Sequence, residues 1–305
     1  MPELPEVETI RRDLHRELAG RVVAGVKVSG RRSIRRHDDP DGLHHRLAGR
    51  ELLSVERRGK YLLLRCGPPK NAGGGQLLDA PVLVVHLGMS GQLLLARAGD
   101  PIMIHTHVVV SFPPEWELRF VDPRTFGEVF VSTAVGTVDS AGAPEAASNG
   151  VLWGEPLPEL AHLGLDALDE VKDAAHLGDL LHARRAKLKP LLMDQRFLAG
   201  IGNMYADEIL FAARLRYDRG SHTLTRREVP RLHQAMTETL GAAIRHRGSS
   251  LADQQYRDVF GAIGGFQLRH QVYGREGLPC PRCGKLIIRV KSAGRSNYLC
   301  PRCQR

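Results

Sequence analysis

Four cysteines near the end of the chain set the tightest limit on how it can fold. They stand as Cys280-x2-Cys283 and Cys300-x2-Cys303, with sixteen residues between the pairs. Thiolate pairs at that spacing suit a tetrahedral Zn2+ and do not suit disulfides. Gly284 follows the first pair, as a tight knuckle requires. Between the pairs, Leu286 to Val290 and Ser296 to Leu299 read as strands with Ala293-Gly294 at the turn, which predicts a metal-stapled β-hairpin. So short a segment cannot build a core of its own, and the metal is expected to supply its folding energy. The fifth cysteine, Cys66, stands alone and reads as an inert small hydrophobe.

The charge on the chain is unevenly spread. The formal total is +9, yet from Arg184 onward there are 23 Lys and Arg against 9 Asp and Glu, so the basic half is the one that should meet a polyanion. The acid is concentrated between Ala134 and Ala183, where nine carboxylates face one basic residue. At 305 residues and 42% hydrophobic content, the chain has enough apolar material for two domains and a small appendage. No apolar run approaches the ~20 residues that span a bilayer, and no basic stretch followed by an apolar core opens the sequence. A cytoplasmic protein is expected.

The opening Met1-Pro2-Glu3-Leu4-Pro5-Glu6-Val7-Glu8-Thr9 crowds prolines and glutamates where chains usually fray. Removal of Met1 leaves a free secondary amine on Pro2 beside the Glu3 carboxyl. A terminal amine titrates near ~8 and a lysine near ~10.4, so at neutral pH the terminus is the better nucleophile. A secondary amine that attacks a sugar C1′ gives a cationic iminium, an electron sink for elimination. Equally, Pro5 suits the first turn of a helix, and the glutamates complement its dipole. Val7, Ile10, Leu14 and Leu18 follow at helical spacing, with Gly20 as a stop.

Strands are predicted at Val22 to Val28, Leu52 to Val55, Tyr61 to Leu64, Val82 to Leu87, Gln92 to Leu95, Met103 to Phe112, Glu117 to Val121 and Glu128 to Ser132, which implies a β-sandwich. Gly67 to Gly75 and Gly136 to Gly150 read as inserted loops, the second as an interdomain linker. Helices follow near Asp173 to Arg185, Leu188 to Gln195, Met204 to Ala213, Arg226 to Arg245 and Leu251 to Phe260. The expected division is a sandwich over 1–135, a linker over 136–158, a helical domain over 159–265 and the ribbon over 266–305.

Several short motifs carry chemistry. Met89, between Gly88 and Gly91, would be an apolar wedge if exposed, or a core methionine if not. Asp122-Pro123-Arg124-Thr125-Phe126-Gly127 offers a planar cation and an aromatic, either able to fill the gap left by an extruded base. Lys60 follows Gly59 at a turn, where it could contact phosphate, move a proton near a sugar or simply be solvated. Arg295 stands at the ribbon tip, within reach of a groove or phosphate or merely solvated. Gly200-Ile201-Gly202-Asn203 opens a helix and could let phosphate approach backbone N–H groups, with Arg184, Arg185, Lys187 and Lys189 just upstream.

Taken together, Pro2 to Glu8, Gly59-Lys60-Tyr61, His86 to Gly91, Asp122 to Gly127, Lys189-Pro190, Gly200 to Tyr205, Gln271-Val272-Tyr273-Gly274-Arg275 and the cysteine ribbon resemble the formamidopyrimidine-DNA glycosylases over essentially the whole length. The resemblance implies an α+β multidomain fold: a β-sandwich with an N-terminal helix, a helix-two-turn-helix domain, and a zinc ribbon, with DNA bound between them. It implies a bifunctional enzyme that excises oxidised purines from duplex DNA and cleaves the abasic site by β,δ-elimination, holding one structural Zn2+. Pro2 would be the nucleophile, Glu3 the proton donor and sugar-positioning acid, Lys60 the group serving the first elimination, and Arg295 the group serving the second elimination or binding phosphate. Met89, Arg124 and Phe126 would fill the gap, and His105, Arg185, Lys189 and Asn203 would contact phosphate. A monomer in the bacterial cytoplasm, at the nucleoid, is the matching expectation. Thr125 departs from the pattern, since many relatives carry a second basic residue there. A sister enzyme for oxidised pyrimidines is disfavoured by Met89 and by the Pro2 to Pro5 opening. A DNA-binding protein without catalysis is disfavoured by the joint presence of Pro2, Glu3 and Lys60.

Overall fold

The computed structural model describes residues 2–69, 80–134, 157–251 and 255–305. Most of the 67–75 loop and all of the 136–150 loop lie outside these residues, although positions 67–69 continue a strand. By contacts the chain forms two compact units. One takes in Pro2, residues 6–162 and 250–263, and the other residues 3–5, 163–249 and 264–305.

Two four-stranded antiparallel sheets make the first unit. One has the order β1 (Gly25–Val28), β6 (Thr106–Phe112), β7 (Trp116–Val121), β5 (Gln92–Arg97). The other runs β2 (Arg50–Arg58), β3 (Tyr61–Pro69), β4 (Ala80–His86), β8 (Glu128–Ala134). Period-two alternation sends Val108, Val110, Leu118 and Phe120 from one sheet, and Leu62, Leu64, Leu83, Val85, Val129 and Val131 from the other, into a single core. Helix α1 (Leu4–Leu18) adds Val7, Ile10, Leu14 and Leu18 to that core at the spacing read from the sequence. Cys66 is buried there, and burial pushes its thiol up to about 12, in keeping with an inert role.

The strand predictions hold with shifted ends. Val22 makes only an isolated bridge to Glu51, so β1 starts at Gly25. β6 starts at Thr106 because His105 turns the chain with φ 66°, outside the range of a strand. The predicted helix at Leu251 to Phe260 is absent from the residues described there. Tyr256 and Val259 instead enter the sandwich core, and Leu95 N–H bonds the Val259 carbonyl at 2.8 Å. Tertiary burial overrides a helical pattern that spans few residues. A short helix α2 (Gly42–Leu47), with Leu43 and Leu47 buried, was not foreseen.

The second unit contains α3 (Ala174–His182), α4 (Leu188–Leu192), α5 (Asn203–Ala212) and α6 (Glu228–Arg245). It also holds a two-residue parallel pair, β9 (Leu165–Asp166) with β10 (Leu198–Ala199), and the hairpin β11 (Ile288–Ser292) with β12 (Arg295–Leu299). Residues 204–211 of α5 are all buried, two carboxylates among them. Each carboxylate is spent on a neighbouring segment. Asp207 pairs with the Lys189 ammonium at 2.8 Å and accepts from Tyr298 N–H, while Glu208 accepts N–H bonds from Gln271, Val272 and Tyr273. At the far end of α5, the Arg282 guanidinium donates to the carbonyls of Phe211 and Ala212 and lies over the Phe211 ring. The ribbon core is accordingly shared, with Phe211 packed among Val272, Cys280, Ile287 and Cys300. No described helix is long and apolar enough to cross a membrane.

Candidate functional site

The site residues divide between the two units. In the first, Pro2 is buried. Lys60 follows Gly59 in the two-residue turn between β2 and β3, yet it is only 7% exposed, so it is no solvated turn lysine. Arg57, which runs beneath the turn, donates to the Gly59 carbonyl and to Glu8 on α1. Beside the turn, Tyr61 lies against the His86 ring at 4.6 Å. Burial, and then the nearby cations Lys60, Arg35 and Arg36, push His86 down to about 4 against the pull of Glu128.

Met89, 41% exposed, and Phe126, 45% exposed, are large apolar side chains presented to solvent. Arg124 sits over the Phe126 ring at 5.1 Å. One carboxylate organises both loops that carry them. Asp122 is fully buried and accepts from Ser90 Oγ at 2.6 Å, from Arg124 N–H at 3.2 Å and from Gly127 N–H at 2.7 Å. The loops touch backbone to backbone, and a Cβ on Gly88 would come within 2.6 Å of the Phe126 carbonyl carbon. Arg35 secures the far side by donating to the Gly127 carbonyl. The sequence carries a signal for this role of Asp122, since an Asp ahead of a Pro-x-x-x-Gly turn is the type that accepts from its own loop's N–H groups. Thr125 takes φ 54° within that loop, and His105 is exposed at its own positive-φ turn.

In the second unit, Glu3 is 4% exposed and its carboxylate accepts from the N–H groups of Gly202 (2.7 Å), Met204 (2.9 Å) and Tyr205 (3.3 Å), at the start of α5. Leu4 N–H bonds the Gly200 carbonyl at 3.0 Å. The N–H groups expected to cradle a phosphate thus hold the chain's own acid, by the same attraction of an anion to a helix N-terminus. Asn203 bonds Tyr273 through its side chain, and its Oδ1 is buried with no partner among the described residues. Arg185 is exposed.

Lys189 lies elsewhere than a surface phosphate contact requires. It is 1% exposed, and its ammonium serves Asp207 and the Ser296 carbonyl at 2.9 Å. Burial lowers the Lys189 ammonium and raises the Asp207 carboxyl, each opposed by the other's charge. The pair braces β12, the strand that begins with Arg295. Arg295 is exposed, follows the Ala293-Gly294 turn, and reaches to 3.8 Å from Met193 Sδ.

The sulfurs of Cys280, Cys283, Cys300 and Cys303 lie within 4.8 Å of one another, with 3.9 Å between Cys280 and Cys303 and 3.5 Å between Cys283 and Cys300. Tetrahedral zinc with Zn–S bonds near 2.3 Å needs edges of about 3.8 Å, so the cluster fits that ion. N–H groups of Arg282 and Cys303 point at the sulfurs of Cys280 and Cys300, as thiolates require.

Comparison with known proteins covers the same ground. Residues 1–129 match the formamidopyrimidine-DNA glycosylase N-terminal domain, 163–255 the formamidopyrimidine-DNA glycosylase H2TH domain, and 277–305 the zinc finger found in FPG and IleRS. A formamidopyrimidine-DNA glycosylase of Nocardia farcinica is 42% identical over 305 residues, covering 100% of this chain and 98% of that protein. The crystal structure of MutM (Fpg) from Thermus thermophilus aligns with a TM-score of 0.77 at 38% identity, covering 99% of this chain and 98% of the other. Wild-type Lactococcus lactis Fpg (MutM) in complex with DNA containing N7-benzyl-Fapy-dG aligns with a TM-score of 0.80 at 30% identity over all of both chains.

Proposed function

Because this chain belongs to the formamidopyrimidine-DNA glycosylase family, we propose that its chemistry starts from the amine of Pro2. The protein is a base-excision repair enzyme: it removes oxidised purines, 8-oxoguanine and formamidopyrimidines among them, from duplex DNA, and it cleaves the abasic site. Its DNA partner carries a damaged base or an abasic site, and its four thiolates form one structural zinc site. Cys280, Cys283, Cys300 and Cys303 would hold the ion, which would supply folding energy there.

The Pro2 nitrogen attacks C1′ of an extruded nucleotide, the glycosidic bond breaks, and the base leaves with a proton. Glu3 is the acid that positions the sugar, and its carboxylate takes the proton that the Pro2 nitrogen loses on attack and hands that proton on. The C1′–O4′ bond then breaks, O4′ leaves with the bonding pair and takes a proton from solvent, and the nitrogen lone pair closes the iminium to C1′. Lys60 serves the first elimination, which breaks the C3′–O bond, and Arg295 serves the second at C5′. Met89, Arg124 and Phe126 fill the gap in the stack, while His105, Arg185 and Asn203 contact phosphate. Lys189 acts by holding the β12 strand that carries Arg295. We propose further that the protein works as a monomer at the nucleoid, and that its domains follow the 1–135, 136–158, 159–265 and 266–305 division.

One observation carries this reading: the first residues are buried and hydrogen-bonded through Glu3 and Leu4, where an ordinary terminus frays. The test adds one residue ahead of Pro2, which removes the free secondary amine and leaves the phosphate contacts in place. Strand cleavage should vanish while salt-dependent duplex binding persists. Cleavage at the normal rate would move the nucleophile to a lysine.

A further inference from the structure

We propose that Gly202 is a positioning residue for base excision, because the space its missing side chain leaves is the space the Glu3 carboxylate occupies. A Cβ built on Gly202 overlaps Cδ and Oε1 of Glu3 and comes to 2.7 Å from Cγ. The same residue's N–H makes the shortest of the three bonds to that carboxylate, at 2.7 Å. At this position the direction a Cβ would take is the one the carboxylate fills, so glycine leaves the acid room to lie against the chain. Backbone conformation gives no other reason for glycine here, since Gly202 has φ −128° and ψ −161°, which any residue adopts.

Gly200, two residues earlier, provides the contrast. It takes φ +109°, and a Cβ there would meet the buried Leu4 side chain, with Leu4 Cβ at 2.9 Å. A side chain at Gly200 strains the backbone and the core, whereas a methyl at Gly202 meets the end of a flexible side chain. In Gly202→Ala the part that yields is the Glu3 carboxylate, and the backbone stays. The glycine therefore acts through Glu3, and the inference rests on the reading of Glu3 as the acid of the reaction.

The experiment is a double-mutant cycle between Gly202→Ala and Glu3→Gln, read by single-turnover release of 8-oxoguanine from duplex DNA across pH. Gly202→Ala alone should slow excision roughly 10- to 100-fold, the usual cost of misplacing a catalytic group by about 1 Å. Its pH profile should differ in shape from that of the natural enzyme. Added to Glu3→Gln it should cost less than about 2-fold, since the group it displaces is already disabled. Equal costs in both backgrounds would overturn the proposal, and so would full activity in Gly202→Ala. The salt dependence of duplex binding should not change. A loss of duplex affinity as large as the loss of excision would mean that Gly202 serves DNA binding instead.

A second cycle is read by thermal unfolding of the full-length zinc-loaded protein, with Glu3→Ala as the partner substitution. Gly202→Ala should lower Tm in the natural background and leave it unchanged once Glu3 is Ala. An equal fall in both would overturn the proposal. If the natural enzyme releases no base, the assignment of Glu3 falls, while the thermal cycle still reports whether Gly202 seats it.

Discussion

Asp122 accepts from Ser90, Arg124 and Gly127 while fully buried, so the loops bearing Met89 and Phe126 depend on one carboxylate. Asp122→Asn replaces an acceptor oxygen by a donor facing donors. It should cost about 2–4 kcal/mol in urea unfolding and reduce affinity for lesion-containing duplex more than for undamaged duplex. Residue types were legible in the sequence: the exposure of Met89, Phe126 and Arg295 matches their reading as groups that reach outward. What held the two loops together was not legible, because the Ser90 bond to Asp122 and the seat of Glu3 join residues 32 and about 200 positions apart in sequence. Two desolvated histidines give a further prediction. Burial pushes both His86 and His270 down to about 4, from an ordinary value of 6.5. The unfolded chain therefore binds protons more readily between pH 6.5 and 4. The stability from these two groups is complete above 6.5 and is lost as pH falls toward 4. A series of thermal unfolding curves checks this, and His270→Gln should flatten the acid side of the profile.

Helix α5 carries the second unit's polar framework: Glu3 at its start, Lys189 on Asp207, the Gln271–Tyr273 turn on Glu208, and Arg282 at its end. Lys189→Met strands the Asp207 carboxylate in the interior and should cost about 3–5 kcal/mol, whereas a residue that only touches phosphate would cost little stability. The same substitution should slow the second elimination if the pair steadies β12 and Arg295. Chelation of zinc should release four titratable thiols and melt the β11–β12 hairpin. Because Phe211 of α5 belongs to the ribbon core, Tm of the whole unit should fall as well, seen by circular dichroism with thiol counting. The ribbon and the eight sandwich strands were legible because metal spacing and period-two alternation are local signals. The segment from Leu251 to Phe260 was not, since its apolar residues are placed by partners such as Leu95 far along the chain. Short helix α2 gave no signal at all above its loop.

Across the whole molecule, the family, the zinc site and the charge asymmetry were all readable from the sequence, because a basic half and eight motifs in order leave few alternatives. The partition into compact units was less so. Residues 3–5 group with the helices and 250–263 with the sandwich, a crossing of segments that no composition change marks. The acid and the amine proposed for the reaction are thus neighbours in sequence that belong to different units. That arrangement makes the chemistry of Pro2 the claim on which the account turns. Borohydride reduction of the full-length enzyme on duplex DNA containing 8-oxoguanine, followed by peptide mass mapping, tests it most directly. The account predicts a covalent adduct on the amine of Pro2, formed at the rate of base release. An adduct on a lysine, or base release with none, would contradict it.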